Sequence, residues 1–230
     1  MRLFRLSSAI IITCILAATC DDGTGTEQEL LRLASIPDKG MTGYLHDLGV
    51  KDFISPYYRD EAARPSVSGF FASLTGSAKI ADIILANAEK NRIKPSLAFA
   101  LALEESRFTP RAINDNGDSV DRGLFQLNSK SFPKLSESEV YDPETNARYG
   151  LAHLRFCLDE GGNEVAALAM YNAGNGRVGR GATPRRTLDY VYRVLTYEKN
   201  ISNLFEATVA KHLPVPTAVV ALGEKRSGSN

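Results

Sequence analysis

The 230-residue chain has no charge imbalance to offer a charged partner, since 27 Lys and Arg offset 27 Asp and Glu. It shows no basic stripe, which argues against a nucleic-acid partner. Cysteine and histidine are scarce, with three of each. There is no CxxC and no close His/Cys grouping, so neither a zinc site nor any other metal site is expected. His46, His153 and His212 lie far apart in sequence and read as ordinary surface or half-buried residues. No cofactor is expected. The longest apolar run near the N-terminus falls short of the ~20 residues that a permanent membrane span needs. No repeat or low-complexity tract appears, and strand signals are few. What remains is a chain with 43% hydrophobic residues, enough for one ordinary core with extra material at its ends.

Residues 1–20 read as an address. Arg2 and Arg5 form a short basic region, and Ala9 to Ala18 is an apolar run interrupted only by Thr13, the pattern of a secretory signal peptide. It ends at Leu16-Ala17-Ala18-Thr19-Cys20, which resembles a bacterial lipobox, with Leu16 one position further from the cysteine than usual and Thr19 where a smaller residue is common. Cys20 is therefore a candidate for lipidation, which implies an exported protein of the cell envelope or periplasm tethered to a membrane. Cys157 would then be the only remaining thiol, and its helical surroundings suit a small core residue. Residues 21–76 read as a tether and an N-terminal extension of unknown role, either a separate unit or an arm around the main domain.

The main domain is expected over residues 77–212, with a disordered tail at 213–230. Ile80, Ile83, Ile84 and Ala88 recur at helical spacing. Pro95 and Ser96 suit a helix start, and the seven apolar residues Leu97 to Leu103 describe a helix that is apolar all round and so buried. Asp142-Pro143 opens another helix with Ala147, Leu151, Leu154 and Leu158 on one face, ending at Gly161-Gly162. A short helix from Asn163 to about Asn172 stops at Ala173-Gly174-Asn175-Gly176, and two more patterns cover Thr187 to Tyr197 and Ser202 to Leu213. The fold class is mainly α, with at most a small β-hairpin in the loop between Asn114 and Asp121.

Chemistry points to the end of the buried helix. Glu104 and Glu105 follow the apolar run, and a carboxyl group there sits where burial can raise its pKa, as a general acid near neutral pH requires. A polar loop and then Gly123-Leu124-Phe125-Gln126 follow. The pattern suits half of a carbohydrate-cleaving site.

Three motifs occur in order: Glu105-Ser106 with Phe108 and Pro110, Gly123-Leu124-Phe125-Gln126, and Met170-Tyr171-Asn172-Ala173-Gly174. Together they resemble the signatures of the soluble lytic transglycosylase (SLT) family, goose-lysozyme-like enzymes of glycoside hydrolase family 23 that cleave peptidoglycan. Asn146, Gly150 and Leu154, and later Thr187, Tyr190 and Val191, also fit that family. The resemblance covers about residues 77 to 200. It implies a lysozyme-like helical domain acting on peptidoglycan glycan strands, with Glu105 as the single catalytic group. Glu105 would protonate the glycosidic oxygen between N-acetylmuramic acid and N-acetylglucosamine, then take a proton from the muramic acid C6 hydroxyl as that oxygen closes a 1,6-anhydro ring. Glu104 does not match and reads as a solvated or salt-paired residue.

The resemblance suits Gln126 to a contact with sugar substituents, Tyr171 to a phenol aimed at Glu105 or the substrate, and Asn172 to an amide contact near it. Their plainer readings are a turn amide for Gln126 and a half-buried core aromatic for Tyr171. Ser106 reads as steadying the helix end or cleft wall, and Tyr190 as lining the cleft or packing in the core. The loop before the second motif is longer than the family's common pattern. Its Asn116-Gly117-Asp118-Ser119-Val120-Asp121 resembles the stretch of animal-type lysozymes that carries a second carboxylate, with Asp121 the candidate here. A hydrolytic muramidase using Glu105 and Asp121 is thus one alternative, against the reading of Asp121 as a turn-forming residue. A non-catalytic glycan-binding envelope protein is another. Protein partners and stem-peptide preference are not legible.

Overall fold

The computed structural model describes residues 52–216. The leader, Cys20, the tether up to residue 51 and the tail from residue 217 lie outside the described residues.

Helix α4 (Pro95–Ser106) is the centre of the fold. Pro95 occupies its first turn, and every residue from Pro95 to Leu103 is buried. Such a helix cannot sit at a surface, so the others are arranged around it. Before it in the chain come α1 (Ile54–Arg59), α2 (Arg64–Thr75) and α3 (Ala78–Lys90). After it, α9 (Arg185–Thr208) packs along much of α4. Between them come α5 (Glu137–Tyr141), α6 (Pro143–Gly161), α7 (Glu164–Ala173) and α8 (Asn175–Gly179), and the chain closes in a 3-10 turn, Ala210–His212. The fold is mainly helical and lysozyme-like.

The helix starts read in the sequence have physical anchors. Ser77 caps α3 by accepting from the Ile80 amide at 3.3 Å, Asp142 caps α6 through Thr145, and Asn163 caps α7 through Ala166. Gly162 ends α6 with φ 68°, a left-handed conformation that suits glycine.

Residues 53–75 pack on the main domain, as the arm reading has it, and do not stand as a separate unit. Phe53, Ile54, Tyr57, Val67 and Phe71 join the same buried cluster as α4 and α9, so the core begins well before Ser77. Phe71 stacks on Phe99 of α4 with ring centroids 3.9 Å apart, and Phe53, Tyr57 and Phe70 meet the edge or face of Phe205 on α9 at 5.3–5.9 Å. The two helical patterns expected after residue 187 are one continuous α9, because no Gly or Pro interrupts it and Glu198, Asn200 and Ile201 at the supposed gap are buried. The strands form a three-stranded antiparallel sheet, β1 (Ile113–Asp115), β2 (Val120–Arg122) and β3 (Leu127–Asn128), rather than a hairpin alone. The second motif itself supplies the turn into β3.

One buried ion cluster ties three helices. Lys94, just before α4, bonds Glu198 of α9 and reaches Glu164 at the start of α7 at 2.7 Å. Burial of the ammonium is outweighed by these two carboxylates, and its pKa stays above the ordinary lysine value.

The stack of Phe71 on Phe99 yields the first prediction. Phe71→Ala should cost about 3–5 kcal/mol in equilibrium denaturation, the range for a fully buried aromatic. A loss below about 1 kcal/mol would mean that α2 does not belong to the cooperative core.

Candidate active site

Glu105 occupies the last turn of α4, where the apolar helix reaches the surface and the side chain is half-buried. The chain then turns sharply. Arg107 and Phe108 both take left-handed backbone, φ 50° and 60°, although neither is glycine. Such conformations persist only where surroundings enforce them. Here Phe108 is buried, with its ring 6.1 Å from that of Phe99.

The Gly-Leu-Phe-Gln segment is fixed opposite this turn by bonds to its backbone. Ser106 Oγ donates to the Leu124 carbonyl at 2.8 Å, and Tyr171 Oη donates to the Phe125 carbonyl at 2.9 Å. Asn146, fully buried on α6, accepts from the Phe125 amide at 2.8 Å and donates to the carbonyls of Arg122 and Val140 at 2.9 and 2.7 Å. Gly123 has φ 82°, and a Cβ there would lie 2.1 Å from Asn146 Nδ2. Glycine is needed at that position twice over, for conformation and for space. Gly150 on α6 plays the matching part for Phe125, whose side chain would be 2.3 Å from an added Cβ.

Tyr190 of α9 donates its phenol hydrogen to Glu105 Oε1. Burial, and then the Glu105 carboxylate, hold the Tyr190 pKa well above its ordinary value, so the phenol keeps its proton and acts as a donor. Glu105 itself is pushed up to about 8, chiefly by burial, with Glu104 and Asp121 adding repulsion and the Tyr190 bond opposing them. At pH 7 it therefore favours the protonated form. One carboxyl group in this molecule thus has the protonation state that general acid catalysis needs at neutral pH.

Asp121 lies on β2, opposite Asn128 of β3 in the sheet register. Its Oδ1 accepts from Asn128 Nδ2 at 2.6 Å, and its Oδ2 from Asn116 Nδ2 at 2.7 Å and Asn114 Nδ2 at 3.4 Å. Its charge acts on Glu105. Asp121 is thus a sheet residue held by three side-chain amides, not merely part of a turn.

The structure brings Glu105, Tyr190 and the Gly-Leu-Phe-Gln segment together and redistributes the expected parts. The phenol aimed at Glu105 is that of Tyr190, while Tyr171 serves the Phe125 carbonyl. Ser106 is buried and committed to backbone oxygens, which matches a steadying part and not a substrate contact. Gln126 takes φ 45°, and its Nε2 donates to Gly123 O at 3.0 Å and Ala112 O at 3.2 Å, leaving Oε1 as the atom it can offer. Asn172 accepts from Thr187 Oγ1 at 2.8 Å, joining the end of α7 to the start of α9. Sequence reading missed the amide trio around Asp121, though the Asn-rich loop contained two of its members, Asn114 and Asn116. It read Glu104 as a solvated or salt-paired residue but not Arg193 as the partner, for which 89 residues of separation leave no local signal.

A lysozyme-like helical domain, with one protonated carboxyl at the end of its buried helix and a backbone-braced Gly-Leu-Phe-Gln turn beside it, defines the class. Comparison with known proteins narrows it. Residues 82–191 match the model of the transglycosylase SLT domain, and this segment includes Glu105, Gln126, Tyr171 and Tyr190. The matched segment is a little under half of the 230-residue chain. It is 34% identical over 97 residues to the soluble lytic murein transglycosylase of Escherichia coli (strain K12), covering 37% of this chain and 15% of that one. It is 30% identical over 132 residues to the transglycosylase of Enterobacteria phage PRD1, covering 57% and 46%. With the X polypeptide of Escherichia coli it shares 29% identity over 150 residues, covering 61% and 88%. The match thus spans less than half the length of the two relatives named as transglycosylases.

The raised pKa of Glu105 has a consequence for stability. In the unfolded chain this carboxyl ionises near 4.5, and in the folded protein near 8. Its contribution to stability is full below pH 4.5 and is lost as the pH rises towards 8. Glu105→Gln removes this loss. The variant should become more stable than the parent by about 1–3 kcal/mol at pH 8, and the difference should shrink towards pH 4.5, as followed by urea denaturation across that range. A difference independent of pH would contradict the raised value.

Proposed function

We propose that this protein is a peptidoglycan lytic transglycosylase that cleaves the β-1,4 bond between N-acetylmuramic acid and N-acetylglucosamine with formation of a 1,6-anhydro ring. The observation that carries the reading is the half-buried, protonated Glu105 holding the Tyr190 hydrogen bond at the end of α4. In the first half-step Glu105 gives its proton to the departing glycosidic oxygen. In the second, the resulting carboxylate takes the proton of the muramic acid C6 hydroxyl while that oxygen bonds the anomeric carbon. Each half-step restores the protonation state that the other requires, so no second carboxylate is demanded. Tyr190 acts on the carboxylate stage, because its hydrogen bond stabilises the ionised form. Gln126 Oε1 is the group of the second motif that remains to meet sugar substituents.

One observation favours a second reading, hydrolysis by a muramidase route. Asp121 is held by three amides and exerts its charge on Glu105, an arrangement that suits a carboxylate supporting an oxocarbenium-like centre. Anchoring at the envelope through lipid on Cys20 belongs to the same proposal and rests on the leader sequence. If it holds, Cys20→Ala should move the protein from the membrane fraction to the soluble fraction of its host. Retention in the membrane would refute that anchor.

Purified peptidoglycan digested with the protein, and resolved by mass spectrometry, separates the readings. Muropeptides lighter by one water than hydrolysis products, and at least 100-fold less abundant with Glu105→Gln, are expected. Reducing-end muropeptides that disappear with Asp121→Asn would establish the hydrolytic route instead. Binding of glycan strands with no product from the parent protein would leave the domain a binding module.

A further inference from the structure

Two bonds cross between α4 and α9 within one turn of each other. Tyr190 reaches Glu105, and three residues further along the same face of α9, Arg193 reaches Glu104. The second contact is a fork. Arg193 Nε lies 3.0 and 3.1 Å from the two Glu104 oxygens, and Nη2 lies 2.6 Å from Oε1. The Glu104 side chain is 13% exposed and that of Arg193 47%, so the carboxylate is the more secluded partner. A two-point guanidinium–carboxylate contact fixes orientation as well as distance.

Resting on the reading of Glu105 as the acid, we infer that the Glu104–Arg193 pair tunes its ionisation, the fork fixing a guanidinium where it opposes the charge of the neighbouring carboxylate. The groups that face Glu105 are few: Glu104 beside it on α4, Tyr190 on α9, Tyr171 on α7 and Asp121 on β2. Tyr190 and Tyr171 are neutral phenols, each raised by burial. Asp121 has its three amide partners. Arg193 is the cation bonded to Glu104, the carboxylate next to Glu105. Asp189, one residue before Tyr190, also acts on Arg193, with a weaker effect than the Glu104 fork.

The signs follow from charge alone. Without Arg193, the Glu104 carboxylate stands unopposed beside Glu105 and makes its ionisation harder. Without Glu104, the guanidinium stands unopposed and makes it easier. With both removed, the two effects cancel. A pair that only fastened two helices would leave the ionisation of Glu105 where it was.

The test is a carbon-13 carboxyl NMR titration of Glu105 in the whole protein, assigned by its disappearance in Glu105→Gln. The midpoint should fall by about half a pH unit in Glu104→Gln, rise by about as much in Arg193→Gln, and return close to the parent value in the double variant. The alkaline limb of muropeptide release should move with it in each case. Arg193→Lys, which keeps the charge but not the fork, should hold the midpoint near the parent value. Glu104→Gln alone suffices if Arg193→Gln fails to fold, since an unchanged or raised midpoint overturns the inference. The titration does not need turnover. If the parent releases no muropeptides, the proposed activity falls while the midpoints still decide the pair.

Discussion

A carboxyl group kept from water resists ionisation, and the architecture of this domain follows from placing one at the end of a helix that has no polar face. Seven consecutive apolar residues force α4 into the interior, and the chain can bring Glu105 to a surface only by stopping the helix just beyond it. The stop uses two left-handed residues that are not glycine, held in place by the burial of Phe108. Everything that packs on α4 therefore also sets the dielectric surroundings of its last turn. The same burial that makes Glu105 a proton donor at neutral pH costs stability once it ionises, the common tension between an active site and the fold that carries it.

The second motif is a lesson in how a short sequence signature works. Few of its side chains point at Glu105 to do chemistry. Gly123 admits Asn146, Phe125 lies on Gly150, and the carbonyls of Leu124 and Phe125 are claimed by Ser106 and Tyr171. These contacts hold a stretch of backbone rigidly at the edge of the cleft, and Asn146 satisfies three main-chain groups that would otherwise be buried without partners. The residues of three motifs far apart in sequence thus meet mainly as a scaffold, with Glu105 and Tyr190 joined by a hydrogen bond beside it.

Much of this was legible in the sequence because local patterns carry local physics. The apolar run announced α4, the caps at Ser77, Asp142 and Asn163 announced their helices, and the order of the motifs singled out Glu105. What escaped was long-range pairing. Nothing local distinguishes Tyr190 from Tyr171 as the partner of Glu105, since both sit on helices near motif positions and only packing decides which phenol arrives. Phe53, Tyr57 and Phe70 could not be placed from the sequence because their partner, Phe205, lies more than 130 residues later. The uninterrupted α9 was divided because its polar residues at 198 to 200 resemble a linker, yet Glu198 is drawn inward by Lys94.

The continuity of α9 bears on how a long glycan could be admitted and released. One rod of 24 residues, about 36 Å long, carries Tyr190 and Arg193 at one end, Glu198 in its middle and Phe205 at the other. It contains no proline, glycine or bulge at which it could bend. Its reactive end therefore has no hinge of its own, and the geometry around Glu105 is set before any sugar arrives. Compliance lies instead in the sheet, whose strands are only two or three residues long and whose first strand is exposed at every residue.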